Sequence, residues 1–336
     1  MAGGSILITG ANGSIAIPLV KYLLTHSPDY TLVLTVRDAS SKDVNTNQLR
    51  EVIAQHPGGA KATVHSLNLF RLAAVHEFAQ TITTQISQGV LPPLASIVCN
   101  AYYWNLVRPV EFTEEGFEKT FQATHLAHAA LVLRLLGSFG PDGGGRVVFF
   151  STDAIFPGKN SLEKITPAIP DDLELLVKPD QDKPVDNLAH GFHRYANAKL
   201  AAVMWACALN RHLEKDPKLN KIAAVAVNPG NISDSRALRT NTPGMLVFLS
   251  KFVLGPLRPL ASFLDPTMRT SAAAAEDVAR LATNDAHPGE RGYFTLLKRD
   301  ESPPDTKDEK KQEELWVRTA RWAGITGEET ALRGGF

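Results

Sequence analysis

The stretch SILITGANGSIA, residues 5–16, decides the fold. Its first half is an apolar, β-branched run of strand length. Its second half is a turn of small residues that opens directly into an apolar helical segment. A chain that passes from a buried strand through such a turn into a helix presents backbone N–H groups at the helix start, where partial positive charge collects. Gly10 and Gly13 leave room for a pyrophosphate to approach those groups, and Ala16, where a third glycine is usual, still permits close helix-to-strand packing. Asn12, Ser14 and Ile15 complete the turn and are assigned to the same nucleotide loop. A glycine pattern alone also marks plain turns; strand before and helix after is the context that makes dinucleotide binding the expectation.

Working outward, short runs rich in Val, Ile and Leu recur near residues 31–36, 62–66, 96–100, 147–150, 223–227 and 293–297. Segments of helical period separate them, near 13–25, 47–56, 72–88, 114–136, 192–213 and 271–283. Continuous apolar strands alternating with helices are what a parallel sheet covered on both faces requires, so the expected architecture is α/β, a Rossmann-type doubly wound parallel sheet of about seven strands in one domain. Three stretches break the rhythm. Residues 155–190, with several prolines and acids, read as a surface insertion, and residues 236–268, apolar and basic, as a substrate lid. Residues 299–314 read as a charged linker to a short terminal helix with Trp316 and Trp322. The Rossmann-type domain is therefore drawn over 1–298, with linker, helix and tail over 299–336. Within the lid, the run from Met245 to Leu264 is interrupted by Lys251, Arg258 and two prolines, which excludes a membrane span and favours a mobile flap over a surface-lying amphipathic helix.

Composition narrows the partners. The 336 residues are 44% hydrophobic, and 35 basic side chains balance 35 acidic ones. A net charge of zero gives no long-range attraction for nucleic acid or anionic lipid, and a small neutral or amphipathic molecule fits better. Cys99 and Cys207 lie in apolar runs and read as buried thiols outside any metal-ligand spacing. His125 with His128, and His190 with His193, stand three apart but lack the partners of a zinc pattern, so no metal is expected. With the first strand beginning at Ser5, no leader is expected and the compartment reads as cytoplasmic; the glycosylation patterns at Asn12 and Asn231 are then chance matches.

The second strand, TLVLTV, runs into Arg37-Asp38, where an adenosine ribose should lie. An acid there would hold a 2′-hydroxyl, whereas Arg37 suits a 2′-phosphate, so NADP(H) is the expected cofactor. Asn68-Leu69 and Asn100-Ala101, after the third and fourth strands, are placed to flank adenine and its ribose. Farther on, Tyr195 and Lys199 in FHRYANAKLAAVMWACAL are four apart, on one helix face and one turn apart. A nearby ammonium favours a phenolate, so Lys199 is expected to lower the Tyr195 pKa and fit it for proton transfer. Lys199 can also hydrogen-bond the nicotinamide ribose.

With TGANGSIA at 9–16, CNAY at 99–102, the Tyr195 and Lys199 pair, and Asn228-Pro229-Gly230, the chain resembles the short-chain dehydrogenase/reductase family over nearly its whole length. Among its branches it looks most like fungal biosynthetic members and the retinol-dehydrogenase and protochlorophyllide-reductase types, which also carry an insertion before the catalytic tyrosine. The resemblance implies hydride transfer between the nicotinamide and a carbonyl carbon, with Tyr195 giving the proton and Lys199 supporting it; the apolar 236–268 stretch makes a bulky, mainly apolar metabolite the expected substrate. It also implies that Pro229, Gly230, Asn231, Ile232 and Ser233 hold the carboxamide. Thr152 of Ser151-Thr152 stands where the family has a substrate-orienting serine and keeps its hydroxyl; Thr124 stands where a proton-relay asparagine is usual and offers shorter reach. Tyr102 replaces a glycine, and Tyr102, Tyr103 and Trp104 read either as a substrate wall or as ordinary core aromatics. The two threonines leave a second reading open, a redox-silent isomerase, dehydratase or cyclase on the same fold. Family dimers usually pair through the long helices that here hold Thr124 and Lys199, while the 155–190 insertion is placed to cover that face, so homodimer and monomer both stay open.

Overall fold

Most of the apolar runs named above form strands because side chains on both faces find a hydrophobic layer; the edge run 62–66 has no fully buried residue and packs through Ala62 and Val64. In the computed structural model, which describes residues 3–140, 144–249, 265 and 267–333, the first half of the chain runs β1 (Ser5–Thr9), α1 (Ala16–His26), β2 (Thr31–Val36), α2 (Val44–Ala54), β3 (Ala62–Ser66), α3 (Leu72–Ser87) and β4 (Leu94–Cys99). Next come α4 (Lys119–Phe121), α5 (Ala127–Leu135), β5 (Gly145–Phe150), α6 (Glu174–Val177), α7 (Asn187–Lys215) and β6 (Ile222–Asn228). The last part comprises β7 (Asn231–Ile232), α8 (Gly244–Leu249), β8 (Met268–Arg269), α9 (Ser271–Ala282), β9 (Gly292–Thr295), β10 (Lys298–Asp300) and α10 (Glu309–Trp322).

The main sheet has eight strands in the order β10-β9-β6-β5-β4-β1-β2-β3, parallel except for the β9–β10 hairpin at one edge. The strand beyond the expected seven is β10, which begins where the charged linker was expected. Residues alternate between two cores. Leu7, Val33, Ile97 and Val147 face α3, α5 and α7, while Ile6, Leu34, Val98 and Val148 face α1 and α9. The strand order reverses between β1 and β4, and in an open sheet of this kind the crevice beyond the carboxyl ends at that point is where a ligand sits.

Two expectations about the irregular stretches change. The 155–190 stretch is not merely a surface insertion, because Ile155, Ile169, Leu173, Leu176 and Val177 are buried in the main core. Residues 309–322 form a regular helix capped by Asp308, whose side chain accepts from the Lys310 and Lys311 amides. In α10, Trp316 is fully buried and stacks on Trp205 and His212 of α7 at 5.1 and 4.4 Å between ring centroids. The segment is thus part of the core rather than an appendage, and it covers α7, the helix through which the family's dimers usually pair. Of the expected lid, residues 250–264 and 266 lie outside the described residues. Cys99 is buried, but Cys207 is only half-buried.

Helix boundaries moved where capping chemistry rather than hydrophobic period set them. The segment expected from 114 begins at Lys119, because Glu118 caps it by accepting from the Phe121 amide at 2.6 Å. The segment expected from 192 begins at Asn187, because Asp186 caps it through the Ala189 amide at 3.0 Å.

Candidate active site

The first turn is built to leave donors free. Gly10 has φ +61, and a Cβ there would stand 3.0 Å from Ala101 Cβ and 3.2 Å from Asn100 Nδ2, so a side chain would be both strained and crowded. Asn100 donates through Nδ2 to the carbonyls of Thr9 and Gly10 at 2.9 and 3.0 Å, which pins the turn. Its Nδ2 is therefore committed to holding the loop. α1 begins without a side-chain cap and without an acid in its first turn, whereas α2, α7, α9 and α10 each carry a capping side chain, and Glu115 takes the first amide of α3 at 2.8 Å. Pro18 in the first turn of α1 has no N–H to satisfy. An uncapped helix start behind a glycine that admits no Cβ fits a dinucleotide pyrophosphate.

Beside this cradle, Asn12 donates through Nδ2 to Asp43 Oδ1 and Thr46 Oγ1 at the start of α2. Arg37, at the carboxyl end of β2, is exposed, and no partner of its guanidinium is found among the described residues. Asp38 is occupied locally, its Oδ1 accepting from the Ser40 amide at 2.8 Å. Of the two strand-end groups, the cation is thus the one left available. Asn68 likewise makes a local turn, Oδ1 accepting from the Phe70 amide, with half-buried Leu69 beside it.

Tyr195 and Lys199 lie on α7 against the carboxyl end of β5, both buried. Lys199 Nζ donates to the Phe150 carbonyl at 2.9 Å and sits 5.5 Å from the centre of the Tyr102 ring. Burial pushes this ammonium down to about 8. The expected acidification of Tyr195 is not found. Burial raises its phenol above the usual value and the charge of Asp153 and the neighbouring Tyr102 add to this, with only the Thr152 hydroxyl opposing. The physical reason is that Lys199 is directed at a backbone carbonyl, while a carboxylate, missed in the sequence reading, stands near the phenol. Thr152 Oγ1 donates to Asp153 Oδ1 at 3.1 Å, and Asn160 Nδ2 donates to the same oxygen at 2.9 Å. The Thr152 oxygen in turn accepts from the Ala154 amide at 3.3 Å, so the hydroxyl is held in place beside the phenol. Asp153 follows Thr152 directly, so adjacency was the one signal that could have flagged it.

Aromatic rings enclose the phenol. Tyr102 and Trp104 lie 5.6 and 5.2 Å from the Tyr195 ring, and Phe192 lies 6.1 Å away. Tyr102 is 40% exposed, which makes it the wall that an incoming molecule meets. Tyr103 instead turns away, its hydroxyl donating to Glu111 at 2.6 Å. Thr124 lies in a π-helical turn, Gln122–Leu126, between α4 and α5, a distortion often kept at functional sites. Its hydroxyl accepts from the Tyr103 amide at 3.3 Å. Its carbonyl bonds His128 Nδ1 at 3.1 Å, and His128 Nε2 pairs with Thr9 Oγ1 at 2.8 Å. A carbonyl accepts only, so Nδ1 carries the proton and Nε2 accepts from Thr9, whose oxygen in turn accepts from the Asn100 and Ala101 amides. Burial keeps His128 neutral, with its pKa pushed down to about 4.

The strand of the Pro229-Gly230 turn is largely self-satisfied. The Asn231 and Ser233 amides donate to the Thr267 and Arg269 carbonyls, and the Ser233 hydroxyl also donates to Arg269 O, so this stretch with Ile232 is zipped to β8. An open groove of about 570 Å³ lined by Arg50, Ile53, His56 and Val64 lies beside the start of β3, at the opposite end of the sheet, and takes no part in the site. No helix among the described residues is long and apolar enough to cross a membrane.

Comparisons with known proteins agree with this geometry. Residues 6–212 match the model of the NAD dependent epimerase/dehydratase family, and residues 236–332 match the AcuH dehydrogenase domain. The chain is 29% identical to the short-chain dehydrogenase iccH of Talaromyces variabilis over 98% of both chains. It is 50% identical to the dehydrogenase acuH of Aspergillus aculeatus over 27% of this chain and 94% of that protein. The fold superposes with a TM-score of 0.56 on the angucycline C-6 ketoreductase LanV with bound NADP, at 20% identity, covering 87% of this chain and 93% of that one. With a nucleotide turn, a tyrosine and a lysine converging on one edge of a doubly wound sheet, and these matches along its length, the chain belongs to the short-chain dehydrogenase/reductase family of oxidoreductases.

Proposed function

We propose that the chain is an NADPH-dependent reductase of a ketone or aldehyde on a bulky, mainly apolar metabolite, also able to run the reverse alcohol oxidation. The observation that carries this is the convergence of Tyr195, Thr152 and Lys199 at the carboxyl edge of β5, beside a turn that admits a pyrophosphate and below an unpaired Arg37. NADPH, when bound in the Gly10 turn, supplies the hydride. Tyr195 holds the proton that a reduced carbonyl oxygen needs, and its raised pKa keeps that proton in place at neutral pH. Thr152, held by Asp153, stands beside the phenol. Lys199 keeps a positive charge below about pH 8 at the floor of the pocket, where ribose hydroxyls would meet it. Thr124 acts through the Tyr103 backbone, holding the aromatic strand that carries Tyr102. Tyr102 and Trp104 exclude water and offer faces to a flat apolar substrate.

The adenosine half would lie against Asn12, Arg37, Asn68, Leu69 and Ala101, and the nicotinamide against Pro229, Gly230, Asn231, Ile232 and Ser233. Likeness to fungal dehydrogenases supports a role in secondary metabolism, and LanV, a ketoreductase with bound NADP, supports the cofactor choice. We place the enzyme in the cytoplasm as a monomer, because α10 covers α7. The test is incubation with NADPH and a panel of polycyclic and polyketide ketones, followed at the absorbance of the reduced nicotinamide. Loss of absorbance with stoichiometric alcohol is expected, and cofactor binding without turnover across the panel would refute the reading. A redox-silent isomerase, dehydratase or cyclase is the second reading, favoured by the commitment of the Thr152 proton to Asp153, which removes it as a donor to a carbonyl. Product formation with no change in nicotinamide oxidation state selects it.

A further inference from the structure

Arg236 opens the 236–268 segment, and neither the phenol nor the aromatic wall accounts for it. Its amide donates to Ser14 Oγ at 2.9 Å. Its guanidinium donates to the Asn12 carbonyl at 2.6 Å, to Gln48 Oε1 at 3.4 Å and to Asn45 Oδ1. The side chain therefore spans the gap between the glycine turn and the first turns of α2, the same gap that Asn12 and Asp43 bridge from below. Every one of these acceptors is neutral. Among the described residues no carboxylate lies within ion-pair distance of Arg236, and Asp43, whose charge bears on it, has Oδ1 accepting from the Thr46 amide and from Asn12 Nδ2. A half-buried guanidinium held by carbonyl oxygens has lost part of its hydration without gaining a counter-charge. Its planar fork matches two oxygens of a phosphate, a far stronger acceptor than an amide. The next residues, Ala237 and Leu238, pack on the cluster of Trp104, Phe192 and Tyr195, so whatever seats Arg236 also seats one side of the substrate pocket.

We propose that Arg236 is a further cofactor-binding residue, exchanging its neutral oxygen acceptors for a phosphate of the dinucleotide. The inference rests on the NADPH reading above. The fork provides the specific recognition, and the Arg236 amide on Ser14 keeps the backbone in place while the side chain changes partners.

The test compares the full-length chain with Arg236→Gln and Arg236→Lys by calorimetric titration of NADPH, with 2′,5′-ADP, ADP and adenosine as competing probes. Arg236→Gln is expected to weaken NADPH about ten- to a hundredfold, the range for one lost hydrogen bond to a charged group, and Arg236→Lys to weaken it several-fold less. Adenosine should be unaffected. A loss seen with 2′,5′-ADP but not ADP assigns the 2′-phosphate; equal losses with both assign the pyrophosphate; either supports the proposal. Unchanged NADPH affinity, or a loss of equal size for adenosine, overturns it, since the latter reports a merely structural role. If Arg236→Gln does not fold, Arg236→Lys carries the same comparison. Failure of the unaltered chain to bind any of the four probes would instead overturn the NADPH reading, and this inference with it.

Discussion

Replacing Lys199 by Met should make the protein more stable and leave it inactive. Burial pushes the Lys199 ammonium from its ordinary 10.5 down to about 8. At about 1.36 kcal/mol per pKa unit, that drop corresponds to a penalty of about 3 kcal/mol for keeping the charged form in the folded chain. Methionine removes the charge and fills similar space, but it abandons the 2.9 Å charge-assisted bond to the Phe150 carbonyl, which costs about 2 kcal/mol. The expected net gain at pH 7 is therefore about 1 kcal/mol. Its pH dependence has a definite sign. Below about pH 8 both folded and unfolded chains hold the proton and the whole penalty is present. Between about 8 and 10.5 the folded chain has released it while the unfolded chain keeps it, so the stability of the unaltered protein rises with pH and the advantage of the variant disappears. Urea unfolding of both proteins at pH 7 and pH 10, without nucleotide, measures this. A variant that is less stable at pH 7, or an advantage that does not shrink at pH 10, would show that Lys199 is not the strained cation described here.

Tyr195→Phe should lower kcat by roughly a hundred- to ten-thousandfold while leaving NADPH affinity within about twofold, because only the proton is lost; steady-state kinetics with calorimetry would separate the two. Arg37→Glu should cut the preference for NADPH over NADH by about a hundredfold, as a carboxylate repels the 2′-phosphate, and parallel titrations of the two nucleotides check it. Trp316→Ala, at a fully buried ring stacked on Trp205, should cost about 3–5 kcal/mol in denaturant unfolding; a loss under about 1 kcal/mol would mean that the terminal helix is an appendage after all.

Local pattern alone determined much of this protein. Each expected strand from 5–9 to 293–297 exists, because the inner strands, buried on both faces, must be continuously apolar whatever their neighbours are, while the edge run 62–66 pairs with β2 and keeps Ala62 and Val64 against the core. The nucleotide turn and the Tyr195 and Lys199 spacing were equally legible, since both are set by residues adjacent in the chain or one helical turn apart. Only the tertiary structure decided what those groups experience. Lys199 is directed at Phe150 instead of acidifying Tyr195, and Asp153 bears on the phenol, because α7 packs against the end of β5 in one particular register. The acidic, proline-broken 155–190 stretch and the charged 299–314 stretch read as surface, yet one buries Leu176 and the other leads straight into the helix that buries Trp316. Trp316 finds Trp205 more than a hundred residues away, and the 174–177 turn packs on α7 across an irregular loop; no periodicity within a segment records such partners. Arg236 is the same case: nothing near it in sequence names Asn12 or Asn45, and folding alone sets its charge over the turn that the first twelve residues built.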